Sequence, residues 1–341
     1  MRPAPRWSAS WPGVRRAYNR AAMRLLLVKT SSLGDVIHNL PVASDIRRHF
    51  PAARIDWLVE ESYAPIPHLH PAINRVIPLA WRRWRRRLGA RETWRAMARF
   101  LAELRETEYD WIIDTQGLLK SAVAARLAHG RRAGGSAAGI REPFAARLYD
   151  RCVPLAYAQH AVDYCRAIAA GALGYAVDTP PQFGIRSAPL AAEWLPKEDY
   201  VAFLHAAGQA SKLWPAAEWA ALGAALAASG LRPVLPWGTA EEKARSERLA
   251  RDIPLACVPP RLDLAAMAGF LAGARLVVGL DTGLTHFAAA LERPTVAIYI
   301  RPFDVVRARL RGSAPHANLG EGGAPPSASD AIRAALELLG R

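Results

Sequence analysis

The chain is short of cysteine, of acid relative to base, and of long apolar runs, and each shortage closes off a class of protein. Three cysteines, Cys152, Cys165 and Cys257, stand among 341 residues. Their spacing gives no CxxC pair and no zinc framework, and so sparse and odd a number fits a reducing compartment. A membrane-spanning helix needs about 20 largely apolar residues in a row. The most apolar stretches, residues 219–231 and 264–274, are shorter and read as core helices. Residues 1–22 carry Arg2, Arg6, Arg15, Arg16 and Arg20 with Pro3, Pro5 and Pro12, but no apolar h-region, so they do not form a signal peptide. They read as a disordered extension, or as an upstream start ahead of a natural one at Met23. GxGxxG, Walker A, HExxH and nucleophile-elbow motifs are all missing. His68 and His70 lack carboxylate or cysteine partners at ligand spacing and read as structural, so no metal is expected.

What is present is globular. Hydrophobic residues make up 51% and charged residues 22% of the chain, and 341 residues exceed the roughly 250–300 over which one core grows, so two domains are expected. With 45 Lys and Arg against 30 Asp and Glu the net charge is +15. Such a surplus suits an acidic partner, whether nucleic acid, an anionic membrane surface or a phosphorylated substrate, although arginine spread over ordinary surface would give the same sum. From Arg24 the pattern alternates short apolar runs with helical periodicity. Strands are expected near residues 24–29, 55–59, 111–114, 200–205, 233–236, 255–258, 276–278 and 295–299. Helices are expected at 36–50, 118–128, 215–228, 241–251, 264–272, 285–291 and 330–339, and residues 312–329 read as loop. This is the signature of two doubly wound α/β units, with the boundary in the Pro-rich residues 177–197. The organisation expected is an extension at 1–22, one Rossmann-like domain at 23–185, a second at 186–325 and a terminal helix at 326–341.

In such folds ligands sit beyond the carboxyl ends of the strands, so the loops there are the place to look for chemistry. After the first strand, residues 29–36 place Asp35 at a strand-to-helix turn. A carboxylate there can take a proton from an attacking hydroxyl, or can serve only as the N-cap of a helix starting at Val36. Residues 279–286 follow a strand and open a helix. Asp281, Thr282, Gly283 and His286 converge on one turn whose free N–H groups and partial positive charge suit a phosphate. Lys212 lies in the loop after the 200–205 strand, either as solvated surface or facing a diphosphate. Glu241 and Glu242 stand at another helix start, where they favour the helix dipole or accept from a ribose. Residues 81–87 hold five Arg and two Trp, a composition for an anionic partner, a membrane interface or nucleic acid. Trp94, Met97, Leu101 and Leu104 continue from them at helical spacing.

Taken in order, several of these segments resemble the ADP-heptose:lipopolysaccharide heptosyltransferases, glycosyltransferase family 9. The resemblance runs from Met23 to about Asn318. It rests on residues 28–36 (VKTSSLGDV), 56–61 (DWLVEE), 82–85 (RRWR), 116–121 (QGLLKS), 126–130 (RLAHG), 235–238 (LPWG) and 281–286 (DTGLTH). The KTSSLGD form resembles type I members, which add the first heptose. The resemblance implies a GT-B fold, in which two Rossmann-like domains face a central cleft. It also implies an inverting transfer, without metal or cofactor, from ADP-heptose to the Kdo of Kdo2-lipid A on the cytoplasmic face of the inner membrane. It makes Asp35 the general base and places Lys212, Thr282, Gly283 and His286 on the diphosphate, with Asp281 shaping the turn. Glu242 falls on the ribose and Leu262 near adenine. Arg82, Arg83, Arg85, Arg86, Lys120 and Arg141 fall on the acceptor's anionic groups. The chain departs from the family's usual pattern at Ala207 and Gly208, where hydroxyl residues are common, and at residues 300–304. A type II or III enzyme, a sugar-nucleotide epimerase and a nucleic-acid-binding module are the competing readings. The last two leave the ordered set of cleft loops unexplained, so no nucleic-acid partner is expected.

Overall fold

A computed structural model describes residues 23–300 and 305–340. The extension expected at 1–22 and most of the divergent 300–304 loop lie outside the described residues. The chain forms two parallel sheets. The first has strands β1 (Arg24–Val28), β2 (Arg54–Glu60), β3 (Ile73–Leu79), β4 (Glu108–Asp114), β5 (His129–Gly135) and β6 (Arg151–Val153), in the order β3-β2-β1-β4-β5-β6. The second has β7 (Tyr200–Leu204), β8 (Arg232–Val234), β9 (Leu276–Leu280), β10 (Thr295–Ile298) and β11 (His316–Leu319), in the order β11-β10-β9-β7-β8. Beyond β8 a single parallel bridge joins Val234 to Cys257, with Cys257 N–H on the Pro233 carbonyl at 2.8 Å. The strand expected at 255–258 is reduced to that bridge, yet with it the second sheet repeats the strand order of the first.

The burial of these strands follows from their composition. Residues 25–28 are Leu-Leu-Leu-Val at the centre of the first sheet and have no exposed surface, as a parallel strand covered on both faces requires. Three strands of this sheet escape the apolar-run criterion. β3 carries Pro78, which is tolerated because the strand lies at an edge. β5 reads His-Gly-Arg-Arg-Ala-Gly-Gly, with Gly134 lying under Tyr149 so closely that a Cβ would come within 2.3 Å of the ring. β6 has three residues. In the second sheet, β11 occupies part of the stretch read as loop at 312–329. It is half-buried and pairs in parallel with β10.

The long helix expected at 36–50 is instead two, Leu33–His38 and Leu40–His49, separated at Asn39 with Pro41 in the first turn of the second. The first begins three residues earlier than expected, because Ser32 caps it and Asp35 sits at its third position. Helix Ala161–Leu173 packs on the first sheet, and the chain then runs to β7 without regular secondary structure. That connector packs on both units: Phe183 and Ile185 are buried, and Leu190 N–H bonds the Gly269 carbonyl at 3.0 Å. The terminal helix, Ala328–Leu338, packs on helix Ala216–Ala228 and on β10. The largest apolar cluster draws from both sheets, running from Leu25 and Trp57 through Phe183 to Phe270, Val277 and Phe287.

One ion pair is enclosed in this core. Arg166 meets Asp45 through Nε at 2.7 Å and Nη2 at 3.0 Å, with the side chains 2% and 4% exposed, and Nη2 also donates to the Thr179 carbonyl at 2.9 Å. Removing one partner strands a buried charge, an effect on the order of 3–5 kcal/mol. Arg166→Met is expected to lose that much in urea unfolding, and Asp45→Leu added to it to recover most of the loss. A double variant no better than the single would contradict this.

Candidate active site

In each sheet the strand order reverses beside the first strand, between β1 and β4 and between β7 and β9, and clefts open at such points. The loop after β1 is fixed by the loop after β4. Gln116 Oε1 accepts from Thr30 N–H at 2.7 Å, Thr30 Oγ1 at 2.9 Å and Ser31 N–H at 3.2 Å. Beneath it Lys29 is buried, with Nζ on the Thr115 carbonyl at 2.9 Å and 3.6 Å from Cys165 Sγ. Burial opposes its charge, but Cys165, Asp35 and Asp114 together hold its pKa above the ordinary value. The loop after β7 is fixed in the same way by the loop after β9, through Lys212 Nζ on Asp281 Oδ2 at 2.7 Å.

The two switch points meet. A Cβ on Gly283 would lie 2.7 Å from Leu33 Cγ and 2.9 Å from the Gly34 nitrogen, so helix Gly283–Ala290 starts directly against helix Leu33–His38. Both helix N-termini, each a partial positive charge, therefore open on the same space. Asp35 stands there half-buried. Its Oδ2 accepts from Ser32 N–H at 2.7 Å and Ser32 Oγ at 2.9 Å, and Oδ1 has no donor among the described residues. The carboxylate is therefore both a cap, at the third helical position rather than as the N-cap, and an open acceptor at the cleft.

Behind it lie three histidines. His286 Nδ1 is 3.3 Å from His38 Nε2, and the His38 ring meets that of His160 at 5.7 Å. Burial lowers the pKa of all three, that of His286 to about 4 and that of His38 well below the ordinary value. His38 Nδ1 is buried without a partner. A buried bare lone pair is the cheaper of the two unpaired states, which assigns the His38 proton to Nε2, donated to His286. His286 then carries its proton on Nε2, on the ring edge beside Gly34. It is a neutral donor with a fixed tautomer rather than a cation.

The remaining expected site residues divide between the two sides. Glu242 completes a capping box, with Oε2 accepting from Gly238 N–H at 2.7 Å and Thr239 N–H at 3.1 Å. Arg261 Nε on the Gly238 carbonyl at 3.2 Å and Trp237 Nε1 on that of Pro259 at 2.8 Å tie this turn to the segment bearing half-buried Leu262. Thr282 caps helix Gly283–Ala290. On the other side Lys120 Nζ donates to Ser31 Oγ at 2.7 Å. Burial and then the charge of Arg82 push its pKa down. Arg82 lies over the Tyr63 ring and donates its N–H to buried Glu60. Arg85 and Arg86 are exposed with no carboxylate in ion-pair reach among the described residues, whereas Arg83 is taken by Glu61 at 2.8 Å. Exposed Arg141 follows Ile140, which covers Gly117, and precedes Glu142, which accepts from Leu119 N–H at 2.6 Å. Sequence reasoning passed over Gln116, His38 and His160. Gln116 lay inside a quoted segment, but its clamp links residues 86 apart, and no local pattern flags the two histidines. Among the described residues no three His, Cys, Asp or Glu side chains stand where they could hold a metal ion.

Paired switch-point loops of this kind find their counterpart in a known family. Residues 97–309 match glycosyltransferase family 9 (heptosyltransferase), and the chain is 46% identical over 280 residues to lipopolysaccharide heptosyltransferase 1 of Pseudomonas aeruginosa, covering 81% of this chain and 78% of that one. The chain belongs to glycosyltransferase family 9. An Escherichia coli heptosyltransferase solved with ADP superposes with a TM-score of 0.85 at 38% identity, over 93% of this chain and all of that one. The same enzyme solved with ADP-2-deoxy-2-fluoro heptose gives 0.77 at 40% identity, over 87% and 92%. The fold is GT-B and the protein is a glycosyltransferase.

Two outcomes follow from the packed site. His70, His205 and His286 each have a folded pKa of about 4 against an ordinary 6.5. The unfolded chain therefore takes up protons first. The stability is full above about pH 6.5 and falls as pH drops toward 4, by about 1.4 kcal/mol per unit for each histidine. A melting temperature that stays level from pH 7 to pH 5 would contradict this. Gly283→Ala drives a Cβ into Leu33 and the Gly34 backbone, and is expected to lose about 1–3 kcal/mol and most transfer activity. A variant with wild-type melting and turnover would show that the two helix starts are not in contact.

Proposed function

We propose that this glycosyltransferase transfers L-glycero-D-manno-heptose from ADP-heptose to the Kdo of Kdo2-lipid A in lipopolysaccharide inner-core biosynthesis, with inversion and without a metal. The observation that carries this reading is the open carboxylate of Asp35 against the start of helix Gly283–Ala290. The likeness over most of the chain to a type 1 heptosyltransferase, and to a relative solved with ADP, supports the choice of donor and step.

Asp35 Oδ1 accepts the proton of the acceptor hydroxyl as its oxygen attacks the anomeric carbon of heptose. The bond from that carbon to the β-phosphate oxygen breaks on the opposite face, and ADP departs with the bonding pair. A single displacement assisted by one base inverts the anomeric centre. Charge developing on the diphosphate meets the N–H groups of Thr282 and Gly283, Lys212 and the Nε2–H of His286. These are preorganised donors of the kind that most lower such barriers, and they do for the leaving group what a metal does elsewhere. Asp281 holds Lys212 in place at 2.7 Å. Glu242 retains Oε1 for the ribose, and Leu262 offers an apolar face to adenine. Lys120, crowded by Arg82 and with no carboxylate in ion-pair reach among the described residues, is poised for an acceptor anion, as are the exposed Arg85, Arg86 and Arg141. Arg83 joins them once Glu61 releases it. The exposed Trp81 and Trp94 among these arginines suit peripheral contact with the anionic cytoplasmic face of the inner membrane. No helix among the described residues is long and apolar enough to cross it.

The test is mass-spectrometric detection of heptose transfer from ADP-heptose to Kdo2-lipid A in excess EDTA. Wild type is expected to transfer, and Asp35→Ala to lose at least 10³-fold in kcat while binding ADP-heptose normally, a loss larger than the 10²–10⁴-fold typical range's lower end. Lys212→Ala is expected to weaken ADP-heptose binding by about tenfold or more, as loss of a charged hydrogen bond does. Transfer only to heptosyl-Kdo2-lipid A would move the enzyme to a later step. Dependence on added metal would remove the charge-stabilising role given to Lys212 and the helix start.

A further inference from the structure

Helices Arg91–Arg105 and Leu119–Leu127 leave between them a groove of about 690 Å³ that the chemistry above does not use. Trp94, Met97 and Leu101 line one wall and Leu119, Val123 and Leu127 the other. Leu119, Val123 and Leu127 recur every fourth residue and are 47%, 47% and 37% exposed, and Trp94 is 58% exposed. Two apolar stripes thus face each other with nothing from the described chain between them, where proteins ordinarily keep such patches small. The groove is polar at one end only, where Thr30, Glu60 and Lys120 close it. Lys120 is the side chain that holds Ser31, four residues before Asp35. The groove therefore begins where the acceptor's sugar must sit. Lys120 at that end, beside Glu60 whose carboxylate takes the Arg82 N–H, and the exposed Arg85 and Arg86 that follow the lining residue Trp84 ask for an anionic head on an aliphatic tail, rather than for an uncharged apolar segment.

We infer that this groove takes one acyl chain of the lipid-linked acceptor, seating the tail while the head meets Lys120 and Asp35. The inference rests on the acceptor class proposed above. The site is a recognition device for substrate amphiphilicity: the chain buried between the two helices aligns the sugar hydroxyl with the base, and a tail-free acceptor forgoes that alignment. Free energy of burial scales with methylenes, at about fourfold in affinity for each one buried, so affinity should rise with chain length and level off when the groove is full.

The experiment measures equilibrium binding by the full chain, below the micellar limit, of a fully deacylated Kdo2-lipid A backbone and of analogues bearing one acyl chain of increasing length. Affinity is expected to climb by up to about fourfold per methylene and then reach a plateau. Ala98→Trp, an exposed position on the groove wall, is expected to bring the acylated analogues down to the deacylated value while melting and ADP-heptose affinity stay at wild type. Val123→Gln gives an independent, milder version. Equal wild-type affinity with and without the chain would overturn the inference. So would Ala98→Trp weakening both acceptors alike, or weakening adsorption to acceptor-free phosphatidylglycerol vesicles as much as binding of the acylated analogue, which would make the groove a membrane-inserting face. A concentration-dependent dimer abolished by Ala98→Trp would assign it to a second copy. Heptose transfer measured in parallel reports on the reaction alone: binding that follows chain length without transfer would sink the catalytic reading and leave the groove in place.

Discussion

Everything in the cleft depends on one close approach, that of Gly283 to Leu33 and Gly34. Only a residue without a Cβ lets the two helix starts meet, since a methyl group there would fall 2.7 Å from one side chain and 2.9 Å from a backbone nitrogen. The contact brings the loop after the first strand of one sheet onto the loop after a central strand of the other. It also explains why the apolar cluster is continuous across both units: the faces of helices Leu33–His38 and Gly283–Ala290 turned away from the cleft pack together, and the cleft opens at their N-terminal ends.

The electrostatics follow from that geometry. Two helix starts point at one space with their partial positive charges, and Lys212 and Lys120 stand on either side of it. Placing a carboxylate in such a field would ordinarily tie it up, but Ser32 engages only one oxygen of Asp35. The histidines beneath add donors without adding charge, because burial keeps them neutral. A strongly basic protein thus places Lys120 and Lys212 on the two sides of this space, and beneath it the ammonium of Lys29 is matched by surrounding acceptors and by Asp114 and Asp35.

The sequence made the two-sheet architecture legible because β1, β4, β7 and β9 are dense apolar runs, and these central strands are the ones that position the site. β3, β5, β6 and β11 were not legible. β3 contains proline, β5 is arginine and glycine, and β11 is half-buried, so each lacks the pattern that burial on both faces imposes. From their places at strand-to-helix turns Asp35 and Lys212 read as readily as a helix cap and solvated surface, and it was the family resemblance, carried by several segments in order, that singled them out with His286. The partnership of Lys212 with Asp281, the clamp of Gln116 on Thr30, and the pairing of His38 with His286 join residues 69 to 248 positions apart; the first two exist only once their own sheet has folded, and the third only once both have. The arginine-rich segment showed its charge but not its use. Arg83 is spent on Glu61, while the stripe from Trp94 to Leu101 faces an open groove and Trp84, Phe100 and Leu104 enter the core.

The measurement that bears most directly on this account is a crystal structure of the Asp35→Asn variant with ADP-heptose and deacylated Kdo2-lipid A bound together. The account predicts the β-phosphate on the N–H groups of Thr282 and Gly283 within reach of Lys212, and an acceptor hydroxyl at hydrogen-bond distance from residue 35 on the side of the anomeric carbon away from the phosphate. A hydroxyl directed at any other base, or a diphosphate bound away from the start of helix Gly283–Ala290, would contradict it.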